Sequence, residues 1–446
     1  MFRFPDGLYT DVRIEDVFES KIQITLKNLE NMKEQSYKAA FIRVFDGGRW
    51  YYAATTSSDN VQGEIDRLAT MATKNSSIAD HPGIACLEVN QSEYFRFNDT
   101  KSVRSISKND KLKDLKTYEN LIDGKPYVKM WRLNYLDQNV KKSFYSSKGA
   151  DLHWDYQRVG FGLSFKLAEG DRTFEEWIEC AGNIYAEIKQ TDETILESYT
   201  EAVKFLLEAQ EIENGSYPVV LSPEAAGVFA HESFGHKSEA DFMIGDETMK
   251  KEWAIGKKVG AGLLSIVDDG NNKGIGFVPY DDEGSKAIKT FIIKNGFLSG
   301  RLHSSVTATY LEEDLTGNAR AVNFEFEPIV RMTTTYIEPG SESFDDLLQP
   351  VKKGVYIETL KHGSGMSTFT LAPCRAYLIE EGKITKRLKI SFVSGTVFQT
   401  LNDIDGISDK LKLEASILGG CGKMEQAPLP VGYGGPYVRV KSLDVG

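Results

Sequence analysis

Two apolar runs in KAAFIRVFDGGRWYYAA (38–54) flank Asp46-Gly47-Gly48, which predicts a β-hairpin. Val61, Ile65, Leu68 and Ala72 then recur at helical spacing behind Asp59 and Gln62, a capping-box pair. Residues 75–125 are polar and poorly patterned, which predicts irregular connections with a weak helix at most. Strand-type composition returns at 138–147 and 151–166. Thr173 and Glu176 then read as the cap of a second helix, with Phe174, Trp177, Ile178, Ala181, Tyr185 and Ile188 along one face and Cys180 as a packed thiol. A third helix is predicted over 193–210, with Ile195, Tyr199, Ala202, Val203 and Leu206 in register. Glu211–Ser216 is a polar, glycine-containing break.

Beyond that break, Tyr217–Leu221 predicts a strand and Ser222-Pro223-Glu224 a helix start, with serine as N-cap and proline at the first turn. Ala225, Ala226, Val228, Phe229 and Ala230 make this helix apolar up to His231. From about 255 the pattern is β. Asn295-Gly296 and Glu381-Gly382 mark hairpins, 330–337, 354–360 and 411–418 add strands, and a short helix is expected at 343–348. The chain shows no internal repeat. The fold class this predicts is α+β. A mixed α/β N-terminal region spans 1–210, divisible into subdomains at about 1–85 and 110–210. A β-rich, barrel-like, largely antiparallel C-terminal domain spans 211–446, with the helix at 223–236 packed against it.

Composition narrows the function classes. At 446 residues the chain needs more than one core, and 41% hydrophobic with 26% charged residues is ordinary for a globular protein. A formal charge of −12 argues against a nucleic-acid surface. No run approaches membrane-spanning length and the N-terminus has no apolar signal segment, so no membrane partner is expected. Cys86, Cys180, Cys374 and Cys421 are widely spread without a CxxC pair, which points to a reducing, cytoplasmic setting.

The chemistry concentrates in His231-Glu232-Ser233-Phe234-Gly235-His236. Two imidazoles beside a carboxylate can hold a catalytic zinc together with a general base. The spacing HExxxH is one residue longer than the HExxH of zinc peptidases. On a regular helix, residues four apart differ by about 40° in azimuth and residues five apart by about 140°. Both histidines can therefore reach one ion only if the helix widens by a residue, as in a π-bulge, or ends so that His236 swings round. Gly235 is suited to such a distortion, whereas two surface histidines would not follow so apolar a helix. A third ligand is sought among Glu239, Asp241, His303, His362, Cys374 and Cys421. Cys421, in Gly419-Gly420-Cys421-Gly422, stands first and Glu239 second. His303 and His362 receive no role. Asp281-Asp282-Glu283 resembles a hard-cation site but is read as a solvated turn, and KHGSGMS (361–367) lacks a P-loop pattern.

With these stretches in hand, the chain resembles the TldD/PmbA metallopeptidases, also called modulators of DNA gyrase. The resemblance rests on IRVFDGGRWYYAATTS (42–57), HESFGHKSEAD (231–241), VDDG (267–270), DDEG (281–284), TGNAR (316–320), RMTTTYIEPG (331–340), AYLIEEGKI (376–384) and LGGCGKMEQAPLPVGYGGP (418–436). It departs at Ala321, where many relatives carry a second arginine, at Thr334, where asparagine is commoner, and in a short leading segment. The resemblance implies an α/β N-terminal domain, a β-rich C-terminal domain and a dimer enclosing the active sites. It makes this the motif-bearing, TldD-like subunit, in a homodimer or with a sister subunit lacking the motif. It also implies one zinc per chain on His231, His236 and Cys421, Glu232 as general base, and unfolded or extended polypeptides as substrates. Asn318, Arg320 and Arg331 could then touch peptide or serve as structural pairs. Two other readings stand beside it: a regulatory protein-binding module whose zinc is closed by Glu239, and a zinc hydrolase of small amides.

Overall fold

The computed structural model describes residues 2–189 and 191–446. The N-terminal part is built on one seven-stranded sheet. Its strands are β1 (Tyr9–Thr25), β2 (Asn28–Phe45), β3 (Trp50–Thr55), β4 (Gln91–Tyr94), β5 (Val128–Ser146), β6 (Asp151–Glu169) and β7 (Arg172–Gly182). Their order is β3-β2-β1-β5-β6, with β4 and β7 sharing the far edge of β6. Every pairing is antiparallel except β4 with β6. Because β1 pairs β5 from Asp11↔Ser146 to Thr25↔Arg132, the stretches 1–85 and 110–210 share a sheet and do not form separate subdomains.

Successive side chains of β1 point to opposite faces. Val12 joins Ile42, Val44 and the Val61, Ile65 and Leu68 stripe of helix Val61–Met71 in one core. Asp11, Arg13 and Glu15 point the other way and are nonetheless buried. This face meets the C-terminal part through ion pairs: Arg13 and Lys142 lie 3.6 and 2.6 Å from Asp282, and Arg43, which also holds Asp11, lies 3.0 Å from Glu283. The acids at 281–283 are therefore not a solvated turn, since each is at most 5% exposed. Asp281 is satisfied by the amides of Glu283, Ser285 and Ala319.

Two expectations for this region fail. The segment 172–182 is strand β7, not a helix, so Cys180 lies on a strand. Its helical spacing is overridden by full pairing with β6, from Val159↔Gly182 to Glu169↔Arg172. The polar tract instead contains a four-turn helix, Lys108–Ile122, capped by Ser107. The helix at 61–71 starts from Asn60 without a side-chain cap bond, and the third expected helix forms as Asp192–Glu208.

In the C-terminal part, strands Gly215–Leu221, Lys353–Gly365, Thr368–Glu380, Val393–Thr396 and Val438–Val445 pair in that order, and the last returns to the first, closing a five-stranded barrel. A second, six-stranded sheet is centred on Ile266–Asp269 and Thr334–Ile337, and continues through Gly432–Gly435 to Lys412–Ala415. The expected hairpins form, with positive φ at Asn295, Gly296, Glu381 and Gly382. Helix Pro223–Ala230 lies between barrel and sheet, packed on Lys353–Gly365 and Gly432–Gly435. It sits so close that a Cβ at Gly227 would fall 2.3 Å from the Gly434 nitrogen. Among the described residues no helix is long and apolar enough to cross a membrane.

Candidate metal centre

The motif helix starts as its sequence requires. Ser222 accepts a hydrogen bond from the Ala225 amide at 3.1 Å, with Pro223 in the first turn. Regular α-helix runs to Ala230, and His231–Gly235 is then a π-turn in which the amide of His236 donates to the carbonyl of His231, five residues back. The widened turn removes the angular mismatch of the six-residue motif. The two imidazoles now share one side, with ring centroids 5.2 Å apart. Gly235 is needed here for space, since a Cβ would lie 1.9 Å from the buried sulfur of Met332.

Cys421 arrives from a distant part of the chain. It opens a two-stranded ribbon, Cys421–Lys423 with Gln426–Leu429. A Cβ at the preceding Gly420, at φ +155°, would meet the Leu429 carbonyl oxygen at 2.6 Å. The Cys421 sulfur lies 3.5 Å from Nε2 of His236. Ligand atoms of His231, His236 and Cys421 all fall within 4.8 Å of one another.

The electrostatics suit a metal. Burial works against a charge on Cys421, but hydrogen bonds from His231 and His236 outweigh it and draw the thiol down to about 5. Burial likewise opposes charge on His236, yet bonds to Cys421 and Glu239 hold it up at about 10. Nδ1 of His231 is buried without a hydrogen-bond partner among the described residues. One thiolate and two imidazoles, with an orphaned ring nitrogen, form a donor set that fits zinc.

Comparison with known proteins agrees with this chemistry. Sequence models of the PmbA/TldA metallopeptidase C-terminal domain and domain 1 match residues 214–446 and 10–76. A metalloprotease of Methanocaldococcus jannaschii is 32% identical, over 97% of this chain and 96% of its own length. The chain belongs to the PmbA/TldD metallopeptidase family. A zinc metalloprotease TldD homolog of Saccharolobus solfataricus is 29% identical, over 98% of this chain and 96% of its own. The fold is that of TldE from Thermococcus kodakarensis, with a TM-score of 0.73 at 15% identity, covering 98% and 96% of the two chains.

Around the three ligand candidates, this PmbA/TldD chain has a buried second layer. Glu239 is not a ligand: its carboxylate lies 3.2 Å from Nδ1 of His236, on the far side of the ring from the sulfur. Such a carboxylate fixes ring orientation and tautomer. Lys423, two residues after Cys421, reaches Glu239 at 3.1 Å, both oxygens of Asp241 at 2.7 Å and the Val330 carbonyl at 2.8 Å. Asp241, one of the third-ligand candidates, is thus held by Lys423, a residue that the motif spacing does not single out.

Asn318, Arg320 and Arg331 lie behind the site. Arg331 is fully buried and donates to the carbonyls of Cys421 at 2.7 Å and Gln426 at 3.0 Å. Arg320 donates to the carbonyls of Met332 and of Pro430, and Asn318 to Asp268 and the Arg331 carbonyl. None lines the cavity described next, and Arg331 is the one of the three that holds the cysteine ribbon directly. His303 is bonded to Glu313 and Thr307, away from the centre.

His231, Glu232, His236 and Cys421 line a cavity of about 930 Å³. Its opposite wall comes from the N-terminal sheet, including Arg132, Phe165 and Trp177, and its rim includes Thr359–Gly363 and Tyr433. Glu232 is half-buried on the wall, one residue from His231. The wall is locked across the two parts of the chain by Arg375 with Glu176 at 2.5 Å and by Ser416 with Glu179 at 3.0 Å.

Proposed function

We propose that this chain is a zinc-dependent peptidase acting on extended polypeptides. The observation that carries the reading is the convergence of His231, His236 and Cys421 in the lining of the cavity, with Glu232 beside them in the same wall. Zinc held there supplies Lewis-acid activation of water and of the scissile carbonyl. Glu232 takes the proton of the attacking water and passes it to the leaving amine. Glu239 holds Nδ1 of His236, which leaves Nε2 facing Cys421. The closed, four-ligand structural zinc of a regulatory module is not favoured, because Glu239, its natural fourth ligand, meets Nδ1 of His236 while Nε2 faces Cys421, which puts the carboxylate behind the ring.

The substrate class follows from an edge. Strand Lys353–Gly365 pairs with Gly215–Leu221 only as far as Ile357, while Thr359–Gly363 line the cavity. An extended peptide can add to such an edge through its main chain, which selects backbone more than side chains. The same reading makes this the motif-bearing subunit of a dimer, with a second copy or a motif-less sister, in the cytoplasm.

The test is mass-spectrometric mapping of an unstructured peptide mixture incubated with wild-type protein and with Glu232→Gln. Cleavage by the wild type, abolished by a chelator and reduced at least a hundredfold in the variant that retains zinc, is expected. Undiminished cleavage by Glu232→Gln with zinc bound removes the base assignment. Absence of cleavage by wild-type protein loaded with zinc removes the peptidase reading for the chain alone.

A further inference from the structure

Six glutamates line the cavity: Glu175, Glu176, Glu179, Glu224, Glu232 and Glu414. Four are committed. Glu176 pairs with Arg375, Glu175 with Lys166 at 3.2 Å, and Glu414 with Lys412 at 2.6 Å. Glu179 accepts the amides of Ile417 and Leu418 and the Ser416 hydroxyl. Of the six, only Glu224 and Glu232 make no salt bridge and lack a full set of donors among the described residues. Glu232 has its role in hydrolysis; Glu224 has none.

Glu224 is held in place rather than mobile. One of its oxygens accepts the Leu360 amide at 3.0 Å, on the stretch of Lys353–Gly365 beyond its pairing with Gly215–Leu221. Burial pushes its carboxyl up to about 7, a rise that the Leu360 amide and the charge of Lys412, which makes no salt bridge with it, do not offset. Beside it in the cavity stands Tyr433, whose hydroxyl makes no hydrogen bond among the described residues. After burial, the charges of Glu224, Glu414 and Glu179 are what raise this phenol further. A fixed carboxylate without a salt bridge, an idle hydroxyl and an aromatic ring together describe a receptor for a positive group.

Building on the peptidase reading, we infer that Glu224 and Tyr433, with Glu414 at the outer side, form a subsite for an ammonium or guanidinium group of the substrate. Glu224 precedes His231 by seven residues on one helix, roughly 10 Å at helical rise. An extended peptide advances about 3.3 Å per residue, so the cation sits about three residues from the bond cleaved. The group can be a lysine or arginine side chain, or the α-ammonium of a peptide whose N-terminus reaches that distance.

Binding tests this separately from catalysis. Nonapeptides labelled with fluorescein at the C-terminus, identical except for a single lysine or glutamine moved along the chain and with free or acetylated N-termini, are titrated by anisotropy. The proteins are zinc-loaded Glu232→Gln and the double variant Glu224→Gln/Glu232→Gln. About a tenfold preference for lysine at one position, retained on acetylation and lost with Glu224→Gln, is expected if the subsite takes a side chain. A preference for the free N-terminus, lost on acetylation, assigns it to the α-ammonium. Glu414→Gln is more exposed and tolerable to the fold, and should reduce either preference about threefold. Equal binding of all peptides, a preference that survives Glu224→Gln, or no binding overturns the subsite. Hydrolysis of the same peptides by wild type is scored apart. A cation preference without cleavage overturns only the peptidase reading, and cleavage without a preference overturns only the subsite.

Discussion

The ammonium of Lys423 lies 3.1 Å from the carboxylate of Glu239, which in turn holds Nδ1 of His236. Lys423 belongs to the ribbon that carries Cys421, and His236 to the motif helix. The contact therefore fixes the two halves of the donor set to each other without touching the metal position. Replacing Lys423 by methionine strands the buried carboxylate of Glu239 and frees the ribbon. The expected result is a stability loss of about 3–5 kcal/mol in denaturant titration, because one partner of a buried pair is removed. Zinc affinity by competition with a chelating dye should fall about 10- to 100-fold.

Arg331 distinguishes scaffold from substrate contact. Arg331→Lys cannot reach the carbonyls of Cys421 and Gln426 together. Weaker zinc retention and a lower Tm are expected, with peptide KM unchanged once zinc is saturating. A raised KM with normal zinc content would return Arg331 to the substrate side.

Gly235→Ala forces a methyl into Met332, whose sulfur would be 1.9 Å away. A cost of about 1–3 kcal/mol is expected from overpacking. Pairing it with Met332→Ala should recover part of the metal affinity, though not the volume lost from the core. If Gly235→Ala alone is silent in urea titration and in zinc binding, the close approach of the π-turn to Met332 is not what selects glycine.

The metal-free site has its own pH signature. The Cys421 thiol is depressed to about 5, so its contribution to stability is complete above the unfolded thiol value and is lost as pH falls through about 5. His236 is raised to about 10, so its contribution is complete below the unfolded histidine value and is lost as pH rises through about 10. The two slopes oppose each other between roughly pH 6.5 and 8.5, the ordinary values of the two groups, where stability should be flat and maximal. Thiolate absorbance at 240 nm should persist to about pH 5 and vanish in Cys421→Ser. His236→Ala should move its midpoint upward.

What could be read from the sequence depended on where each interaction partner lies. The π-turn was legible because it follows from helix geometry and one residue of spacing, both local. Cys421 was legible as a candidate from its glycines, yet only the folded ribbon sets its sulfur beside His236. Glu239 lies three residues beyond His236, a spacing that suits a ligand and an orienting carboxylate equally, and Lys423 decides between them from another segment. The helix at 108–122 was hidden by its own chemistry. Lys111, Leu115, Tyr118 and Ile122 form its buried stripe, but the lysine, paired with Asp137 at 2.6 Å, reads as polar. In the same way Asp11, Arg13 and Glu15 disguise the inner face of β1, because the charges that compensate them, Arg43 on β2, Lys142 on β5 and Asp282, lie far along the chain.

The barrel strands follow one another around the ring in chain order, and Val438–Val445 closes it against Gly215–Leu221, the strand that leads into the motif helix. Contacts of such long sequence separation form late. A growing chain holds both histidines long before Cys421, and the ring that supports the motif helix cannot shut until the last strand has been made. During synthesis the histidine pair is thus without its thiolate and without a walled chamber. The donor set is a product of the closed ring, assembled only when residues 185 or more positions apart have come together.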